Sequence, residues 1–301
     1  MTVKASGEKR VIVIHPATQH SYQTALGLQE AGLLQKFVTG FYYKKSGLLS
    51  GLVQCLPSRV ALRLERQLKS RRIDGLDQKL IVDFPFEDLV CVACSRTKVL
   101  EKLTCQFPIF QWRMDRFEKK AAGLVMKERP RAVICYDTCC IRIFEAAKKI
   151  GAVCILDQTI GHMTSAVKVF DQWNIPTEIQ APLVKSSLLE VELADKILSA
   201  SEYVSQTLLQ AGMPAPKITF LPYGIDTNQF CPGVSREDRE FRVLFVGRLN
   251  YRKGIQFVMD AFKRCLDLPN LRLWLVGPVW GNTDWMNPYK GRLQYFGQVP
   301  H

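Results

Sequence analysis

The chain has 301 residues, of which 47% are hydrophobic and 10% aromatic; this excludes a disordered or fibrous protein and is enough material for two cores. Its 41 Lys and Arg against 28 Asp and Glu leave a formal net charge of +13, which favours anionic partners without choosing among phosphorylated metabolites, an acidic membrane surface and nucleic acid. No stretch approaches the roughly 20 apolar residues of a membrane helix, and "MTVKASGEKRVIVIHP" has too short an apolar run for a secretory signal, so a cytoplasmic protein is expected.

In chain order, "VIVIH" reads as a buried strand, "YQTALGLQEAG" as a helix and "FVTGFYY" as a strand. Between Lys44 and Arg131 the rhythm changes to long helical stretches with few strand candidates, which reads as a helical insertion. Alternation then resumes with "RAVICYD", "IRIFEAAKKIG", "AVCILDQT", the helical "LVKSSLLEVELADK", "ILSAS", "EYVSQTLLQAG" and "ITFLP". Repeated strand and helix in this order predict a doubly wound parallel sheet, with Gly32, Gly151 and Gly212 at helix C-caps.

Inside the insertion, "GLLSGLVQCLPSRVALRLERQLKSRR" (47–72) mixes aliphatic residues with Arg59, Arg63, Arg66, Lys69, Arg71 and Arg72. Two readings stand side by side, an interfacial helix drawn to anionic lipid and an ordinary solvated face packed on the core. Nucleic acid is not expected, because aromatics do not interleave with the basic run and no zinc-finger or helix-turn-helix pattern occurs. The ten cysteines are scattered through strand-like and helix-like runs, which favours reduced, mostly buried thiols. "CVAC" at Cys91–Cys94 is a lone pair, short of the further ligands that zinc needs and of the βαβ setting of a redox motif.

A Pro-, Gly- and charge-rich linker, 222–240, separates a first domain, 1–240, from a second, 241–301. The second holds "FRVLFVG", one helix, "LRLWLVG" and "LQYFG", too little for a complete sheet domain, so truncation within it is expected. Its first unit, "VLFVGRLNYRKGIQFVMDAF" (243–262), is a strand, a turn and an amphipathic helix, with Arg248, Arg252 and Lys253 in the turn between Gly247 and Gly254. Backbone N–H groups at such a helix start carry partial positive charge, so the turn suits a phosphate; a solvated basic turn at a sheet edge is the alternative.

The stretch from Asp195 to His301 resembles the retaining GT-B glycosyltransferases of family 4 (glycosyl transferases group 1). The residues that carry the likeness are "ADKILSASEYVSQTLLQAGMPAPKITFLPYGIDTNQFCP", "LFVGRLNYRKGI", "LRLWLVGP" and "LQYFGQVPH", in that order. The resemblance implies two Rossmann-like domains facing across a cleft and a UDP-, GDP- or ADP-sugar donor held mainly by the second. Arg248 and Lys253 would neutralise the diphosphate, with donor contacts from Gly247, Gly277, Gln298 and Val299. It implies retention of configuration, a glycan or lipid-linked acceptor and a place in cell-envelope polysaccharide synthesis; on its interfacial reading, the basic run 47–72 would add a peripheral position at the inner membrane face. No cofactor or metal is expected, since there is no Asp-x-Asp pair to bring a divalent ion to the diphosphate.

Two departures from the family stand out. Where many members have paired glycines after the first strand, this chain has "HPATQHSYQ", offering His20 and Ser21 to an acceptor. Where many have a histidine after a later strand, this chain has Tyr136 and Asp137; the next strand end adds Asp157, Gln158 and His162. Each lies where α/β sites gather, and each also suits a structural hydrogen bond. Asp137 is the residue expected to position the incoming hydroxyl. A noncatalytic nucleotide-sugar or glycan-binding protein is the alternative function, whereas a dinucleotide oxidoreductase is disfavoured by the absence of G-x-G-x-x-G spacing.

Overall fold

Seven strands form one parallel sheet: β1 (Val11–His15), β2 (Leu34–Thr39), β3 (Ile81–Asp83), β4 (Ala132–Tyr136), β5 (Val153–Gln158), β6 (Lys196–Ser199) and β7 (Ile218–Phe220). Their order is β3-β2-β1-β4-β5-β6-β7 in a computed structural model that describes residues 10–18, 20–44, 68, 71–96, 106–172, 181–227, 230–233, 239–279 and 282–299. The strand order reverses direction between β1 and β4, so the crevice beyond their C-terminal ends is where this topology gathers ligands.

β1 shows why the sequence takes this form. Ile12 and Ile14 point to one face of the sheet, into a cluster with Phe117, Phe144, Leu156 and Ile197; Val13 points to the other, among Tyr22, Phe37, Ile134 and Tyr136. Both faces are covered, so the strand is a continuous apolar run instead of an alternating one. The covering helices are α1 (Ser21–Glu30), α2 (Pro85–Arg96), α3 (Gln106–Glu128), α4 (Ile141–Lys149), α6 (Ala181–Leu193) and α7 (Glu202–Gln210); α5 (Met163–Gln172) follows β5. Gly32, Gly151 and Gly212 sit after α1, α4 and α7 at φ 73°, 73° and 87°, and their amides bond back to Gln29, Lys148 and Leu209, closing each helix at the expected residue.

Three local expectations differ from what is found. The stretch 44–131 contributes more than helices, because β3 pairs with β2 at the sheet edge. β2 begins at Leu34 and ends at Thr39, short of "FYY", because the Gly40 amide turns to the Pro16 carbonyl and leaves the ladder. α5 follows "LDQTIGH", where no helix is predicted. Of the basic run 47–72, only Leu68, Arg71 and Arg72 are among the described residues. Arg71 donates to Asp88 at 3.2 Å and Arg72 pairs with Asp74.

Three further strands, β8 (Phe241–Val246), β9 (Leu271–Val276) and β10 (Leu293–Gly297), form a second parallel sheet in the order β10-β9-β8, with α8 (Ile255–Arg264) between β8 and β9. Alternate residues of β9, Leu271, Leu273 and Leu275, are buried against Met259 and Phe262 of α8. The chain divides into two compact units, one of Met1–Lys168 with Ile179–Tyr223, the other of Val169–Glu178 with Gly224–His301. Among the described residues, no helix is long and apolar enough to cross a membrane.

Candidate functional site

In unit one, the C-terminal ends of β1, β4 and β5 bring together His15, Tyr136, Asp137 and Asp157. The loop after β1 is tightly held. His15 Nδ1 lies 2.6 Å from the Ala17 carbonyl, Arg113 Nη2 donates to the Pro16 carbonyl at 2.9 Å, and the Gly40 amide donates to the same oxygen at 3.2 Å. Arg113 is in turn paired with buried Asp88, which also accepts from the Phe41 amide at 3.0 Å. Gly40 has to lack a side chain here, since a Cβ would stand 2.3 Å from the Pro16 oxygen. These contacts fix the segment that delivers His20 to the start of α1.

The His20 ring lies between two tyrosines, with centroids 4.8 Å from Tyr136 and 4.6 Å from Tyr223. Its Nε2 is 3.1 Å from Asp157 Oδ2, and the two side chains are 25% and 10% exposed. An imidazole with one nitrogen on a carboxylate is held in orientation and can exchange a hydrogen bond through the other. At the end of β4, half-buried Asp137 accepts from Thr159 Oγ1 at 3.3–3.4 Å. Tyr223 is half-exposed, and burial of its hydroxyl beside the charges of Asp157 and Asp137 pushes it up to about 12.

The expected acceptor residues thus separate. His20 and Asp137 reach the edge of the site, but Ser21, Tyr136, Gln158 and His162 are 0%, 0%, 1% and 6% exposed and lie beneath it. Tyr136 donates to Thr24 Oγ1 at 2.8 Å and supports the His20 ring edge-on; Gln158 Nε2 donates to the Ile160 carbonyl at 3.1 Å. His162 is tied to Thr164 and Thr207, and burial lowers its pKa. The Tyr136 hydroxyl, the Gln158 amide nitrogen and His162 are thus paired within the fold, whereas Ser21 Oγ and Gln158 Oε1 are buried without a hydrogen-bond partner. Asp157, which the sequence offers only as one of several residues at a strand end, is the partner that orients His20.

His15 supplies a pH test of this loop. Burial holds its pKa down from 6.5 to about 4, so the folded protein keeps it neutral where the unfolded chain takes up a proton. A lowered histidine pKa stabilises the fold above about pH 6.5, and that contribution is lost as pH falls towards 4. Between pH 7 and pH 5, the native protein is expected to lose about 2 kcal/mol more than a His15→Gln variant. Urea unfolding at both pH values checks this, and equal losses in the two proteins would count against the buried neutral imidazole.

In unit two, each strand ends in a glycine at positive φ: Gly247 at 146°, Gly277 at 132° and Gly297 at 67°. Gly247 N–H donates to the Val276 carbonyl at 2.9 Å and Gly277 N–H to the Gly297 carbonyl at 2.8 Å, so the three form a bare backbone edge. The chain leaves Gly247 through exposed Arg248, and Asn250 accepts from the Lys253 amide at 3.1 Å, closing a 3₁₀ turn over Tyr251–Lys253. Gly254, at φ 77°, then turns the chain into α8. The helix begins at Ile255, where the sequence places it, and the turn before it is a 3₁₀ turn that uses the Lys253 amide and leaves the Lys253 side chain exposed. Gln298 and Val299 follow β10 and are exposed at the same edge. A backbone edge without side chains, a helix start and two cations together suit a diphosphate.

No family model matches the sequence, and no curated protein matches it. Solved structures do match. Anabaena HepE in complex with UDP superposes with a TM-score of 0.54 at 12% identity, covering 96% of this chain and 69% of HepE. Sucrose-phosphate synthase from Thermosynechococcus elongatus gives 0.58 at 14%, covering 98% and 71%. The lipopolysaccharide outer core galactosyltransferase WaaB gives 0.53 at 12%, covering 96% and 68%. The fold is GT-B. Within that fold, the seven-stranded sheet carries the His20–Asp157 pair and the three-stranded sheet carries the glycine edge with Arg248 and Lys253.

Proposed function

We propose that this protein transfers a sugar from a nucleoside-diphosphate donor to a hydroxyl acceptor, with retained configuration and without a metal ion. The observation that carries the reading is the Gly247–Gly277–Gly297 edge with Arg248 and Lys253 beside α8, in a fold shared with UDP-bound HepE. In the reaction, the bond between sugar C1 and the phosphate oxygen breaks, the acceptor oxygen bonds to C1, and its proton passes to the departing phosphate. Negative charge grows on the diphosphate as that bond breaks, so pre-placed cations that hold it more strongly in the transition state lower the barrier. The donor contacts assigned to Gly247, Gly277, Gln298 and Val299 belong to this reading.

On the acceptor side, Asp137 receives a hydrogen bond from the incoming hydroxyl, and His20, held by Asp157, stands at the same sheet edge. Loss of a positioning group lowers rate through misalignment and leaves the pH optimum in place, whereas loss of a base changes the acidic limb. Asp137→Asn is therefore expected to slow transfer while donor hydrolysis persists and the pH profile of kcat/KM keeps its shape. Transfer at the native rate would make Asp137 structural.

A glycan or lipid-linked acceptor and a peripheral position at an anionic membrane complete the proposal, supported by the net charge of +13 and the cations of 59–72. Salt-sensitive sedimentation with acidic but not neutral vesicles is the corresponding check.

A further inference from the structure

Glu190, on α6, is 1% exposed and takes no part in the chemistry described above. Burial pushes its carboxyl up to about 8, against the pull of two backbone donors. Those donors are both on the link between β4 and α4: Thr138 N–H to Oε2 and Cys140 N–H to Oε1, each at 2.9 Å. Cys140 is the N-cap residue of α4 and makes no side-chain cap of its own, so the helix is capped from α6 instead. Thr138 stands at φ 85°, a left-handed conformation that a β-branched residue keeps only when its neighbours hold it there. The carboxyl of Asp137 adds to the cost of charging Glu190, as does that of Glu118, itself pushed up to about 7 by burial. A buried acid under such pressure is an expensive way to close a loop unless the loop's shape matters.

We infer that Glu190 is a positioning residue for the acceptor: by holding the Thr138 and Cys140 amides, it fixes the backbone from which Asp137 meets the incoming hydroxyl. The inference rests on the reading of Asp137 given above. Four residues, Asp137 to Cys140, join Tyr136 at the end of β4 to α4. With two of their amides pinned by one carboxyl, little freedom remains at Asp137. Glutamine at 190 keeps one acceptor oxygen and turns an amide donor towards the other N–H, leaving that N–H unpaired.

The test is a double-mutant cycle read as the ratio of transfer to donor hydrolysis, with UDP binding measured alongside. Glu190→Gln is expected to lower the ratio about tenfold and leave UDP affinity unchanged, the scale of one misplaced hydrogen bond. In an Asp137→Asn background the same change is expected to cost little more, because both act through one group. An unchanged ratio in Glu190→Gln, or a full tenfold loss that persists beside Asp137→Asn, overturns the inference. Amide hydrogen exchange is the arm that does not depend on activity: Thr138 and Cys140 should lose protection in Glu190→Gln. Should native protein transfer no sugar, the functional reading fails, and unchanged protection of those two amides would still refute the hold itself. Thr138→Gly, which removes the side-chain penalty at φ 85°, is expected to restore part of the ratio lost in Glu190→Gln.

Discussion

Lys253→Ala and Arg248→Ala are each expected to cut sugar transfer about 100-fold and to weaken nucleoside-diphosphate binding, the scale seen when one donor of a transition-state anion site is removed. Both side chains are exposed in the turn between β8 and α8, and the bare Gly247–Gly277 edge allows a ligand to approach the backbone. The Lys253 side chain takes no part in closing the local turn, which is held by Asn250 and by the φ of 77° at Gly254. In Lys253→Ala the loss should therefore appear in function and not in stability. Isothermal titration with UDP, GDP and ADP, beside steady-state turnover, separates binding from rate. Native binding and rate in both variants, with their melting temperatures unchanged, would remove the diphosphate from this turn.

Gly277→Ala is expected to be the most damaging small substitution in unit two. Its Cβ would stand 2.0 Å from the Gly247 carbonyl oxygen and 2.7 Å from its carbon. Both atoms are backbone, held by the bonds from Gly247 to Val276 and from Gly277 to Gly297, so the neighbour cannot swing aside. The φ of 132° adds a conformational penalty. Overpacking and strain together come to about 3–5 kcal/mol. Gly291→Ala is the matched control, because its Cβ would meet nothing within 4 Å. Urea unfolding of the two variants checks the difference, and comparable midpoints would show that the β8 and β9 ends can separate freely.

Much of the fold is legible where burial on both faces makes a strand uniformly apolar, as in "VIVIH", or where a glycine must follow a helix, as at Gly32 and Gly151. β3 escapes such reading because three residues are too few to show a period. The basic turn after β8 is legible because its parts are consecutive: strand, glycine, cations, helix. The His20–Asp157 edge is not, because the two residues are 137 apart in the chain and meet only through the order of strands in the sheet. Tyr136, Gln158 and His162 look in sequence like other polar residues at strand ends, and only packing turns them inward. Glu190 is more concealed still. Nothing in "LLEVELADK" sets it apart from the helix's other acids, and its two partners are amides about fifty residues earlier in the chain.

The central claim is that a nucleoside-diphosphate sugar is the donor. Incubating native protein with a panel of UDP-, GDP- and ADP-sugars and an acceptor glycan, while following nucleoside-diphosphate release and the anomeric proton of the product, tests it most directly. Release from one donor class is expected, with the product anomer matching the donor's. No release from any donor, or a product of inverted configuration, would contradict it.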